Sequence, residues 1–349
     1  MRSKRLRFVP IIGATVGLTA LGALVVHFGA DAVIRSLVAI GWGGFTAICL
    51  IHLALIAVMG IAWWALAPGA PAWVFIWGRL TRDAGSEVLP LSQMGGTVLG
   101  ARAVALAGVS GPVATASTIV DLTLEFFAKL AYTAVGLVLL VHLRPDLPVA
   151  LPITTGIAVA ALVAIAFVVV QRHGFALFDR LARALGRSWA DRTAAGAASV
   201  HIELGRTYRR KSGLWVGFLL HLACWVASAL EVWIALHLAG RALDFAAVLV
   251  IESLLYAIRT VAFAIPNAVG VQEGAYILLG VLLGGAFGLT PEMALALSLL
   301  KRARDLAIGL PVLGAWQAVE GGRLWRRLAT SSVALPVAKA ARTWGEDRG

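Results

Sequence analysis

Charge is scarce in this chain. Only 14% of its 349 residues are Asp, Glu, Lys or Arg, while 60% are hydrophobic and the mean hydropathy is +0.87. A soluble protein carries about a quarter charged residues, so a soluble globular domain is excluded. Cysteine is nearly absent too. Cys49 and Cys224 both sit inside apolar runs, which argues against a disulfide framework and for small packed hydrophobes. The seven histidines are scattered without metal-ligand spacing; His52 and His221 each read as a packed helix residue. There is no glycine loop ending in Gly-Lys-Ser or Gly-Lys-Thr, so an ATP-driven motor within these residues is excluded. His-Glu-x-x-His, Cys-x-x-Cys and Gly-x-Ser-x-Gly are also missing, and no cofactor or metal is expected.

What is present is a series of apolar runs long enough to cross a bilayer. They lie at Phe8–Phe28, Gly44–Ala67, Val113–Val141, Val149–Val170, Leu214–Leu238 and Met293–Gln317. Two further apolar regions are interrupted, one around Pro90 with Gly95 and Gly96, the other around Pro266 with Gly270. The fold class expected is an all-α polytopic membrane protein with about six full spans and two Pro/Gly-broken segments. The N-terminus resembles a signal peptide, with Arg2, Lys4, Arg5 and Arg7 before the first run. That run is too long for a cleaved segment, so a retained first helix is expected.

The net charge of +12 reads as membrane topology, and no nucleic-acid partner is expected. Bases cluster at the N-terminus, in the stretch 171–213 and after Ala318, while the intervening connections are charge-balanced. The positive-inside rule then places both termini and the central loop in the cytoplasm. The loop is expected to hold an amphipathic helix on the anionic lipids of the inner leaflet. With that orientation each broken region must cross an even number of times, as a re-entrant hairpin or as a pair of spans. The first would enter from the cytoplasm and the second from outside, the layout of an inverted repeat. Chance similarity among glycine-rich helices is the other reading of the internal likeness. Residues 1–319 form the membrane domain, with its basic loop 171–213, and residues 320–349 a basic cytoplasmic tail.

Ionisable residues stand at membrane depth, where charges normally face a protein interior or a watery cavity. Asp121, Glu125 and Lys129 follow i, i+4, i+8 spacing and share one helix stripe. They form either a proton or cation site, with Lys129 neutralising one carboxylate, or a packing salt bridge. Lys301, Arg302, Arg304 and Asp305 interrupt the last apolar run. Lys301 and Asp305 have the spacing of an intrahelical pair. The guanidinium groups are suited to bidentate capture of an anionic headgroup, or they meet acids such as Glu231 or Glu252 on neighbouring helices. Glu252 and Arg259 share a face but are too far apart to pair, so each should meet another element. Gln272 and Glu273 follow the Pro266 break, where a headgroup-binding role and a capping role compete for Glu273. The pairs Gly13/Gly17, Gly96/Gly100, Gly270/Gly274 and Gly280/Gly284 have the spacing of close helix contacts. Tryptophans such as Trp42, Trp73 and Trp215 sit near span ends and read as interfacial anchors.

Four segments carry a resemblance. Val120-Asp-Leu-Thr-Leu-Glu125, Glu231-Val-Trp-Ile-Ala-Leu236, Ile265-Pro-Asn-Ala-Val-Gly-Val-Gln-Glu-Gly274 and Leu297-Ser-Leu-Leu-Lys-Arg-Ala-Arg-Asp305 resemble the lysylphosphatidylglycerol synthase transmembrane-domain family, in particular its hopanoid-biosynthesis-associated branch. The likeness runs from about Arg7 to Gln317. It implies a bundle like the flippase half of larger relatives whose separate cytoplasmic domain makes the aminoacylated lipid. These residues contain no counterpart of that domain, so synthase activity is not expected. One departure is Thr97, where the resemblance leads to an acid after the Gly95-Gly96 pair.

The function expected is a lipid translocase of the bacterial inner membrane, not driven by ATP, with a hopanoid or phospholipid as cargo and hopanoid-biosynthesis enzymes as candidate partners. Lys301, Arg302, Arg304, Arg259, Gln272 and Glu273 would meet the headgroup. Asp121, Glu125, Lys129, Glu252 and Asp305 would balance charge or carry a proton. The alternative is a membrane-embedded enzyme or enzyme subunit that modifies a lipid headgroup, with Asp121 and Glu125 as acid and base.

Overall fold

The structure, a computed structural model, describes residues 30–88, 92–145, 187–240, 243–261, 268–287 and 289–346, with scattered positions between 154 and 169. The expected spans Phe8–Phe28 and, for the most part, Val149–Val170 lie outside these residues, as do Pro90, Pro266 and loop residues 171–186. The described residues are overwhelmingly helical, and no strand occurs among them.

Among the described residues, three helices are long and apolar enough to cross a membrane. The first, α1 (Ala30–Leu66), turns non-helical at Gly41, where φ is 65°, so its membrane-length part is Ile40–Leu66. The others arise after two short helices, α2 (Ala72–Val88) and α3 (Ser92–Leu106), and are α4 (Gly111–Leu143) and, beyond α5 (Arg187–Arg209), α6 (Lys211–Leu238). Each overlaps an expected span. Local sequence explains the ends. Pro112 enters the first turn of α4, where its missing N–H is harmless. Gly240, at φ 73°, stands just beyond the end of α6.

A second pair of short helices follows, α7 (Phe245–Val261) and α8 (Val271–Phe287), and then the long α9 (Pro291–Glu346). The expected span Met293–Gln317 lies within α9, which crosses the expected domain boundary at 319/320 without a break. At 17 residues or fewer, each short helix is at most about 25 Å long at 1.5 Å per residue. That is at or below the low end of what spans a hydrocarbon core of about 30 Å, so each broken region holds a pair of short helices.

The order long, short, short, long occurs twice, as α1–α4 and as α6–α9, and the packing repeats with it. The hairpin α2–α3 is packed together, and so is α7–α8; α2 packs on α9, and α7 on α4; α6 packs on α4, and α1 on α9. The corresponding helices α1 and α6 pack on each other and run antiparallel. Gly44 lies by Leu238, Leu55 by Cys224 and Ala65 by Gly213. Antiparallel equivalents are what an inverted repeat requires; a parallel repeat would align them.

The first hairpin closes through glycine. A Cβ at Gly96 would run into the carbonyl oxygen of Arg82, and one at Gly100 would come within 2.9 Å of the Gly78 carbonyl oxygen, the close approach expected of that pair. The expected pair Gly270/Gly274 packs differently. Gly270 has φ 81°, a turn geometry that glycine tolerates, and Gly274 faces open space. Helix α5 meets α4 through Leu204, which joins the apolar cluster of Trp63, Phe75 and Val120. Over its described residues, then, part of its apolar side meets protein, where the lipid surface was expected. Cys49 and Cys224 are free thiols. Trp42, Trp73 and Trp215 are exposed near helix starts, as interfacial anchors would be.

Candidate functional site

Two apolar clusters divide the bundle, and α4 runs through both. Ala116 and Val120 belong to one, Ala128 and Tyr132 to the other. Asp121 and Glu125 fall between them, 0% and 5% exposed. Carboxylates so buried need partners, and the partners come from α2. Arg82 donates from Nη1 to Asp121 at 2.7 Å and from Nη2 to Glu125. Arg79 donates from Nη1 to Glu125 at 2.9 Å and from Nε to Asp83 at 2.7 Å. Lys129 lies 3.2 Å from Glu125, with its ammonium over the Trp225 ring. His221 of α6 closes the network, its Nε2 2.9 Å from Asp121. Neither carboxylate is left free by Lys129 alone, as the helix stripe had implied. Both are held by cations from a helix that the sequence reading passed over.

The second half builds a different arrangement. Lys301 of α9 donates to Glu252 of α7 at 2.7 Å and to the Tyr276 hydroxyl of α8 at 3.0 Å. Tyr276 in turn donates to Glu252. Glu273 accepts from the Gly270 N–H at 2.7 Å, capping α8, from Ser298 at 2.9 Å, and from Arg302, whose Nη2 is 3.1 Å away. Gln272 donates to the Ser298 hydroxyl at 2.7 Å. Together these contacts clamp α8 onto α9. The expected Lys301–Asp305 pair does not form. Lys301 turns to Glu252, which would otherwise be a stranded buried acid, and Asp305 accepts from Arg304 at 2.6 Å. Arg304 also donates to Glu231, whose other oxygen lies 3.1 Å from His52.

A cavity of about 240 Å³ opens between the two halves. α2 supplies Arg79, Arg82, Asp83, Ser86 and Glu87, and α4 supplies Glu125 and Lys129. α7 adds Tyr256 and Arg259, and α9 adds Arg304 and Asp305. Five cations therefore face four carboxylates. Of the residues that the sequence nominated for headgroup binding, Arg259 and Arg304 line the cavity, while Lys301, Arg302, Gln272 and Glu273 stand in the clamp beside it. Among the acids and bases nominated for charge balance, Glu125, Lys129 and Asp305 line it; Asp121 stands behind Arg82, and Glu252 is in the clamp. Gly95 and Gly96 lie in the first hairpin, where Thr97 reaches the cavity at the position of the missing acid. Glu252 and Arg259 each meet another element, as their spacing implied; Arg259 reaches Glu87 of α2 at 3.5 Å.

The residues missed were Arg79, Arg82, Asp83 and Glu87. Their spacing, i, i+3, i+4 and i+8, marks one polar helix face. That signal was readable in the sequence. Among the described residues no cluster of three or more His, Cys, Asp or Glu side chains could hold a metal ion.

Paired short helices in an inverted repeat, around a charged cavity, define a polytopic helical membrane protein. The chain belongs to the family described as the lysylphosphatidylglycerol synthase TM region, whose model matches residues 11–312. No curated protein and no solved structure matches it.

Proposed function

We propose that this protein moves a polar lipid between the leaflets of a bacterial inner membrane without ATP. The observation that carries the reading is the mixed-charge cavity at the junction of two inverted halves. Transport sites are built at such repeat interfaces, framed by broken helices. Part of the wall is solvated, and part is as buried as the network behind it. The side chains of His52, Asp83, Glu87, Lys129 and Arg259 keep 16–27% exposure, whereas Arg82 and Asp121 keep 5% and 0%.

In this reading Arg259 and Arg304 meet the headgroup. Asp121, Glu125 and Lys129 hold α2 and α4 together and balance charge. Lys301, Arg302, Gln272, Glu273 and Glu252 act through the clamp, which sets how the second hairpin moves with α9. Both termini and the basic segment 171–213 face the cytoplasm and its anionic lipids. The cargo is a phospholipid or a hopanoid. A link to hopanoid-synthesising enzymes rests on the four sequence segments alone. Headgroup modification is the less suited chemistry, because an acid–base pair must exchange protons and Asp121 and Glu125 are each held by guanidinium groups.

The test is translocation of headgroup-labelled phospholipid in liposomes that hold the purified chain. Movement above protein-free liposomes supports the reading, and protein-free rates contradict it. A lipid profile of cells with and without the gene separates the enzyme reading. A lost product with an accumulating precursor, alongside protein-free rates in liposomes, would favour the enzyme.

A further inference from the structure

Around the cavity the described charges match in number except at one cluster. Arg79, Arg82 and Lys129 match Asp83, Asp121 and Glu125, Lys301 meets Glu252, and Arg302 meets Glu273. Across the cavity Arg259 of α7 reaches Glu87 of α2. Where α1, α6 and α9 meet, two acids share one cation. Arg304 donates to Glu231 and to Asp305, and the three side chains keep only 3–6% exposure. Among the described residues no other Lys or Arg lies within 4.0 Å of either acid. The group that does lie there is His52 of α1. Its Nδ1 is 3.1 Å from Glu231 and its Nε2 4.0 Å from Asp305. The Cys49 thiol stands one turn earlier on α1, and Tyr256 of α7 faces the same cavity. His221 is the opposite case. It is 0% exposed, its network is already matched in charge, and its Nδ1 has no partner among the described residues. A doubly protonated ring there would bury an N–H with nothing to accept it.

We propose that His52 is a proton-binding site and that its proton couples lipid movement to a transmembrane proton gradient. This deepens the translocase reading, and the coupling rests on it. A neutral imidazole has one N–H, so with Nδ1 donating to Glu231 it turns a bare Nε2 lone pair toward Asp305. His52 lines the cavity, with its side chain 25% exposed, so a proton arriving there binds at Nε2. The imidazolium then donates once to each acid, and two cations stand against two carboxylates. An unmatched buried charge is costly, and imidazole is the side chain whose charge changes near neutral pH. His52 and Glu231 stand on the equivalent helices of the two repeats, and Asp305 on the last helix of the second. Binding the proton draws α1 onto α9, and losing it frees that contact. One proton thus sets how the first repeat sits on the second.

The site is tested by nitrogen NMR of the full-length chain in nanodiscs, with labelled histidine and with His52→Gln to assign the signal. The His52 ring is expected to pass reversibly from neutral to doubly protonated as the pH falls from about 8 to 5, the range in which imidazole changes charge. A His52 ring that keeps one protonation state across that range overturns the site. The coupling is read in liposomes that hold the purified chain, as movement of headgroup-labelled phospholipid with and without an imposed pH gradient. The gradient is expected to change the wild-type rate about tenfold, the worth of one charge-assisted hydrogen bond made or lost. His52→Gln is expected to abolish that response. Glu231→Gln, which leaves Arg304 matched by Asp305 alone and strands no charge, is a second variant expected to lose it. Either variant, folded and responding as wild type does, overturns the coupling. So does a wild type that moves lipid at the same rate with and without the gradient, and translocation itself then stands. Protein-free rates in wild type bring down the translocase reading, and the NMR titration still decides the proton site.

Discussion

The two halves of this protein share a scaffold and invert its charge. In the first half the hairpin helix α2 carries the cations Arg79 and Arg82, and the long helix α4 carries the acids Asp121 and Glu125. In the second half the hairpin carries the acids Glu252 and Glu273, and the long helix α9 carries Lys301 and Arg302. The first network opens onto the cavity, whereas the second is closed into a clamp. A repeated architecture thus serves two purposes: one half presents charge to a cavity, and the other uses charge to fix a hairpin. The halves meet where the cavity forms, so the site is asymmetric even though its frame is not.

The largest expected effect breaks the first half. Arg82→Met removes the cation that Asp121 and Glu125 share; Glu125 keeps Arg79 and Lys129, while Asp121, fully buried, keeps only His221 within 3 Å. Leaving a buried partner uncompensated costs about 3–5 kcal/mol, so thermal unfolding in detergent should show a large fall in Tm or no folded fraction. A melting curve like wild type would mean that the network is not structural.

The clamp sharpens the comparison. Lys301→Met alone should destabilise by about 3 kcal/mol, because Glu252 loses its cation. The double variant Lys301→Met with Glu252→Gln should recover much of that loss, since no buried charge is stranded. A double-mutant cycle on thermal stability reads the coupling; strict additivity would show that the two residues do not act as a pair.

Glycine separates the hairpins more gently. Gly96→Ala forces a methyl group onto the Arg82 backbone and should cost about 1–3 kcal/mol. Gly274→Ala, facing open space, should be within about 0.5 kcal/mol of wild type, as surface substitutions usually are. Equal losses would remove the distinction between a glycine-closed and a side-chain-closed hairpin.

Arg302 offers the smallest contrast. Arg302→Ala leaves Glu273 with the Gly270 N–H and Ser298 as donors. Its effect on lipid movement should therefore be smaller than that of Arg259→Ala, which removes a cation from the cavity wall. Translocation lost in full by Arg302→Ala, in folded protein, would place the headgroup at the clamp.

Much of the frame was legible because apolar length and helix breakers are local signals. Gly44–Ala67, Val113–Val141 and Leu214–Leu238 each anticipated a helix, and the Pro/Gly breaks anticipated the hairpins. The charged stripes on α4 and α9 were visible because charge in an apolar run is conspicuous. Their partners were less visible. Spacing suggested Lys301 with Asp305, but a partner is chosen by what would otherwise be left buried and unpaired. Glu252, 49 positions away, won. His221 looked like packing material until Asp121 was placed against it, 100 residues apart. The charges of α2 were missed, although Arg79, Arg82, Asp83 and Glu87 share one helix face.

The central claim is that a lipid headgroup enters the cavity between the halves. The most direct measurement is photo-crosslinking of a phospholipid with a photoactivatable headgroup to the full-length chain in liposomes, followed by mapping of the labelled residues. The account predicts label on cavity-wall residues such as Met59, Phe126 and Thr260. Label confined to the outer surface, at residues such as Leu50, Val138 and Leu219, would contradict it.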